Sequence, residues 1–160
     1  MNRWRFLFPI SLVLCGNACS RSQVDERAVF EAIENNVQAM QREDADGVMA
    51  TLHSSIKNRD EVKAAYVELF QKYDLKYTLS DLKIVGARGD EARVHFTQIT
   101  QRVGGDEPFA DNIVEGVHTL KKDADGKWKL LRTARSKVVP LNSDLPESAK
   151  NLPAAAQGLH

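Results

Sequence analysis

Three histidines in the patterned part of the chain, His53, His95 and His118, are where acid–base or metal chemistry could start. No two lie four residues apart on one helix, and no Cys or acidic residue sits beside them at ligand spacing, so no metal site and no cofactor is expected. His95 stands between Val94 and Phe96 and so faces away from the apolar side of its strand. His118 shares strand parity with Val114 and Leu120 and points inward. In the last apolar run Trp128, Leu130 and Arg132 share one face. An inward arginine needs an anionic or hydrogen-bonding partner. That partner is either an ion pair inside the protein or at its rim, the commoner solution, or the carboxylate of a ligand. Gln98 and Thr100 continue the inward face of Ala92, Val94 and Phe96. A strand face that turns polar toward one end suits a pocket mouth, and suits a frayed or bulged strand equally well.

What these candidates lack is an acid. Asp111 falls in a loop, Asp81 falls where a strand changes phase, and no Asp or Glu has clear inward parity. Tyr66 sits on a helix face otherwise made of Leu and Val, which points to core packing. Two "DADG" phrases, at Asp44 and Asp123, lack the longer ligand set of a calcium loop and read as a helix cap and a hairpin turn. Lys127, Lys129, Arg135 and Lys137 fall on the outer parity of the last strand without interleaved aromatics, the pattern of a solvated sheet face.

The elements that position these groups are set by periodicity. Val29, Ile33, Val37 and Met40 recur at helical spacing, and "REDADG" breaks that helix. Asp44 caps a short second helix carrying Val48, Met49 and Leu52. After the loop "HSSIKNRD", Asp60 caps a third helix with Val62, Tyr66, Leu69, Phe70 and Tyr73 on its apolar face. The period then becomes two. Leu75, Tyr77 and Leu79 alternate, and Leu82 and Ile84 resume in the other phase, predicting a bulge. Strands in "ARVHFTQITQRV", "IVEGVHTLK" and "WKLLRTARSKVV" come next, the last two joined by a tight turn with Gly126 at positive φ. Three helices followed by four antiparallel strands predict an α+β layer, helices packed on one face of a curved sheet.

The phrases "AMQREDADGVMATLH" and "LKKDADGKWKLLRT" resemble the helix–break–helix and final hairpin of the NTF2-like superfamily, shared by SnoaL-like cyclases and ketosteroid isomerases. The resemblance covers residues 28–139 and implies a cone-shaped α+β domain. Ketosteroid isomerases use an inward aspartate with Tyr and protonated Asp donors, and SnoaL-like cyclases use an inward acid. This chain offers no matching residue. The fold hosts enzymes, carriers and interaction modules alike.

Of the 160 residues, 42% are hydrophobic and 28% charged, with formal charge zero, so no global field selects nucleic acid. "MNRWR" followed by the apolar "FLFPISLVLCG" and the small residues "GNA" has the layout of an export signal too short to remain as a membrane-spanning helix. Cutting after Ala18 removes Arg3 and Arg5, leaving 20 of 22 basic residues against 22 acidic ones, and makes Cys19 the first residue. That site resembles a bacterial lipobox, with Gly16 where Leu is usual and Ser20 in the outer-membrane sorting position. The competing readings are a Cys15–Cys19 disulfide and an unpaired thiol. The expected organisation is a signal peptide over 1–18, a linker over 19–26, the NTF2-like domain over 27–140 and a Pro/Ala-rich disordered tail over 141–160.

The expectation is therefore an exported, lipid-anchored domain on the periplasmic side of the outer membrane, binding rather than catalysing. Its pocket candidates are Tyr66, Phe96, Gln98, His118, Trp128 and Arg132, and Cys19 is the lipid attachment site. Expected partners are the membrane through that anchor, a small apolar or anionic ligand or an envelope protein, and a second copy in a homodimer. Nucleic acid is not expected. The alternative is an isomerase- or cyclase-like enzyme using His118 with Arg132.

Overall fold

Asp25 opens the first helix by accepting the backbone N–H of Ala28 at 3.2 Å, which satisfies one of the donors a helix start leaves unpaired. The helix α1 (Glu26–Gln41) buries Val29, Ile33, Asn36 and Ala39, an unbroken stripe at spacings of three and four. This is a computed structural model, and it describes residues 24–141. The expected signal peptide, Cys15, Cys19 and the expected tail beyond residue 141 lie outside the described residues.

Asp44 caps α2 (Ala45–Thr51) as expected, accepting from the Gly47 N–H at 2.8 Å. Asn36 donates to the Thr51 hydroxyl at 2.7 Å, and that hydroxyl donates to the Val48 carbonyl at 2.7 Å, so one buried amide ties α1 to α2. The third helix, α3 (Arg59–Lys72), starts at Asn58 in a left-handed conformation (φ 53°) without a side-chain cap. Asp60, expected as the cap, sits in the first turn instead, where its charge favours the helix dipole. No residue of α3 is buried. Its apolar side covers an opening rather than a filled core.

The strands β1 (Asp74–Arg88), β2 (Glu91–Gly104), β3 (Asn112–Lys122) and β4 (Trp128–Pro140) form one open antiparallel sheet in the order β1-β2-β3-β4. Three helices on this sheet give the α+β layering that the periodicities predict. The expected bulge in β1 falls between Ser80 and Lys83, with Asp81 at φ 53°. Gly126 takes φ 76° in the β3–β4 turn.

Two further bulges, in β4, are not legible in the sequence. Leu120 pairs with Leu130 and Thr119 with Arg132, so Leu131 is extra; Gly116 pairs with Arg135 and Glu115 with Lys137, so Ser136 is extra. A hydrogen bond from a residue distant in sequence accompanies each. The Leu130 carbonyl accepts the His53 N–H at 2.8 Å, from the segment after α2. The Ser136 hydroxyl donates to the Glu115 carbonyl at 3.1 Å. Each extra residue moves the rest of the strand to the other face. Between the bulges Thr133 and Arg135 therefore face inward.

Packing divides the space under the sheet in two. At the hairpin-turn end Val29 and Ile33 of α1 meet Ala92, Val94, Leu120 and Trp128 in a buried apolar cluster. At the other end, toward the β2–β3 loop, helices and sheet stand apart.

Candidate functional site

The gap at that end is a cavity of about 530 Å³. From α1 come Asn36, Val37 and Met40, and from α3 come Val62, Tyr66 and Leu69. The sheet supplies Leu75 and Tyr77 of β1, Phe96, Gln98 and Thr100 of β2, Val114 and His118 of β3, and Thr133, Arg135 and Val138 of β4. The walls are mostly apolar with a few polar groups, as small-molecule sites are.

His118 lies deepest in character. It is 8% exposed, its ring stacks on Phe96 with centroids 3.9 Å apart and planes at 15°, and Nδ1 shares a hydrogen bond of 2.8 Å with the Thr133 hydroxyl. Burial pushes its pKa down to about 4, so the ring is neutral at physiological pH. Thr133 can reach it because the Leu131 bulge turns Thr133 inward.

Tyr66 and Tyr77 face the same space. Burial pushes Tyr77 up to about 12, with the neighbouring Tyr66 phenol and the Glu43 carboxylate adding to the effect. Burial also raises Tyr66, opposed by the nearby Arg135 guanidinium. Both phenols stay protonated and can donate. Gln98 donates to the Thr100 hydroxyl at 3.1 Å, forming the polar end of β2.

Tyr66, Phe96, Gln98 and His118, all expected from the sequence, are thus brought together. Tyr66 lines an open space instead of packing a core, the reverse of the expectation from its Leu/Val neighbours. Trp128 does not line this cavity. It is 7% exposed in the buried apolar cluster and borders a separate cavity of about 490 Å³ with Lys122, Lys127 and Lys129. Its ring carries the Lys122 ammonium 5.3 Å from the centroid.

Arg132 also departs from expectation. It is exposed, and it borders the cavity, but it pairs with Thr119 on the outward parity of the sheet. The ion pair expected for it is not formed with any described residue. Arg135, equally exposed, pairs with Gly116 on the inward parity and also borders the cavity, where simple alternation puts it on the outer strip. Lys137 does face outward, 3.5 Å from Glu115.

Among the described residues no Asp or Glu lines the cavity. Asp111 accepts the Arg102 N–H at 2.8 Å in the β2–β3 loop, and Asp81 is exposed at the β1 bulge. Among the described residues no three His, Cys, Asp or Glu side chains converge on a metal position. His53 is buried and locally bonded to the Ser55 hydroxyl at 2.8 Å. Neighbouring Ser54 donates to Asp123 at 2.6 Å, and this bond leads the causes that hold the Asp123 carboxyl down to about 2. The second "DADG" phrase therefore fastens the turn to the α2–α3 loop.

Solved structures share this architecture at low identity. A proposed dehydratase of the NTF2-like family from Streptomyces avermitilis is 22% identical, with TM-score 0.59 over 72% of this chain and 96% of its own. An NTF2-like protein of unknown function from Pseudomonas putida is 18% identical, with TM-score 0.59 over 76% and 95%. A ketosteroid isomerase-like protein from Erwinia carotovora atroseptica is 19% identical, with TM-score 0.53 over 72% and 98%. These likenesses establish the NTF2-like fold. No curated protein matches the chain. The family model described as "Anti-sigma-I factor RsgI9, C-terminal domain" matches residues 31–141, from the middle of α1 to the end of β4. The chain belongs to that family.

Proposed function

We propose that this domain holds a small apolar or anionic molecule in the cavity between α1, α3 and the sheet, and does so without catalysing a reaction. One observation carries the reading: a cavity of about 530 Å³ combines apolar walls with neutral donors and arginine, and no carboxylate among the described residues lines it. A general acid–base mechanism wants a group poised near the working pH. His118, held near 4, and two phenols held protonated are not so poised. The family name is that of a regulatory factor, which also favours binding.

Native mass spectrometry of the purified protein is the test. The reading predicts a complex that releases a small molecule on collisional activation. A bare polypeptide mass, with no uptake from an extract of the host's lipids and metabolites, would count against it.

The likeness to a proposed dehydratase and a ketosteroid isomerase-like protein supports a second reading, an enzyme in which His118 handles a proton. Turnover of a cavity-sized apolar substrate, lost in His118→Gln, would favour that reading over ours.

The domain's setting is also a proposal. The lipobox-like approach to Cys19 supports export and a lipid anchor on the periplasmic side of the outer membrane. Cys19→Ala should move the protein from the membrane to the soluble fraction. Unchanged fractionation would remove Cys19 as the anchor.

A further inference from the structure

We infer that the cavity selects a molecule with an apolar body and a single carboxylate, and that Arg135 is the residue that reads the carboxylate. This rests on the binding reading above and narrows its ligand class.

The two β4 bulges act as a pair. The first, at Leu131, turns Arg135 inward, and the second, at Ser136, returns Lys137 to the outer face. Without the first bulge the cavity would receive Ala134 and no cation there. Opposite Arg135 stands Gly116, where a Cβ would lie 2.4 Å from the Ala134 carbonyl oxygen and 3.0 Å from the Phe96 ring. The absent side chain lets β4 and the Phe96 ring close over this position, setting the arginine beside an aromatic wall.

Nothing among the described residues neutralises Arg135. The ion pairs these residues form join Lys63 to Asp46, Lys72 to Glu68, Lys121 to Asp90 and Lys137 to Glu115. The acid nearest in register, Glu115, is engaged by Lys137 on the other face. Tyr66, across the cavity on α3, is close enough for its phenol to feel the Arg135 charge, and it supplies a neutral donor. Of the two exposed arginines that border the cavity, Arg135 has the inward parity, and with neutral donors beside it that guanidinium balances one negative charge. Its planar fork matches a carboxylate, and a dianionic phosphate would keep a charge unmatched in mostly apolar walls. Val37, Met40, Val62 and Leu69 are placed to hold the apolar body.

Decanoate, decanol and decyl phosphate serve as probes, titrated by calorimetry at pH 7.5 into the full-length protein and its Arg135→Met and Arg132→Gln variants. Decanoate should bind at least tenfold tighter than decanol and tighter than decyl phosphate. Arg135→Met should erase the preference by weakening decanoate while leaving decanol unchanged, and Arg132→Gln should keep it. Equal affinity for decanoate and decanol, or a preference that survives Arg135→Met, would overturn this inference and leave the binding reading standing. Tightest binding of decyl phosphate would overturn the single-charge assignment. If no probe binds, the binding reading falls and this inference with it.

Discussion

His118 concentrates what a single residue contributes here. Stacked on Phe96 and bonded to Thr133, it is held neutral by burial, with its pKa lowered from 6.5 to about 4. The unfolded chain then binds the proton more readily than the folded one between those two values. Folding stability should be fully present above pH 6.5 and fall as pH drops toward 4, by up to about 3 kcal/mol from this group. Urea unfolding at pH 7 and pH 4.5 in the parent and in His118→Gln checks this. The variant should lose less stability between the two pH values, because the carboxylates common to both chains cancel. An identical pH dependence would mean that His118 is not held neutral by the fold. The window of Asp123, from 3.8 down to about 2, lies below this range and does not confuse the comparison.

At the scale of the element, the β4 bulges decide which residues meet. Gly116→Ala would press a methyl into the Ala134 carbonyl, so it should destabilise by about 1–3 kcal/mol as an overpacked site does. It should also weaken decanoate binding by shifting Arg135. Removing the α2 cap with Asp44→Ala should cost about 1 kcal/mol in thermal or urea unfolding. The caps also show what is legible in the sequence. Asp44 with small residues after it is a local signal, and so are the Gly126 turn and the phase change between Leu79 and Leu82, and all three are found. The β4 bulges are not local signals. One arises because the Leu130 carbonyl is taken by the His53 N–H from far along the chain, and the other because Ser136 bonds across to Glu115. Strict alternation therefore selects Arg132 as the inward arginine, two bulge-free residues after Leu130, where the fold presents Arg135. Tyr66 is legible as apolar-facing, but whether α3 covers a core or a cavity depends on the distance between layers, which no periodicity encodes.

The whole molecule divides labour along the sheet. The hairpin-turn end is filled, and the β2–β3 end is open and chemically varied. Ile33, 1% exposed, should therefore cost about 2–5 kcal/mol as Ile33→Ala, while Leu69→Ala, on a helix with no buried residue, should cost about 1 kcal/mol. A reversed order in denaturant melts would contradict the division. The same division places the proposed ligand at the β2–β3 end. Backbone and side-chain NMR shifts tracked during a decanoate titration give the most direct test of the central claim. The account predicts that the largest changes cluster at Tyr66, Phe96, His118, Thr133 and Arg135, with Val29, Ile33 and Leu120 unmoved. Changes gathered on the outer sheet face or around Trp128, with the cavity residues silent, would contradict it.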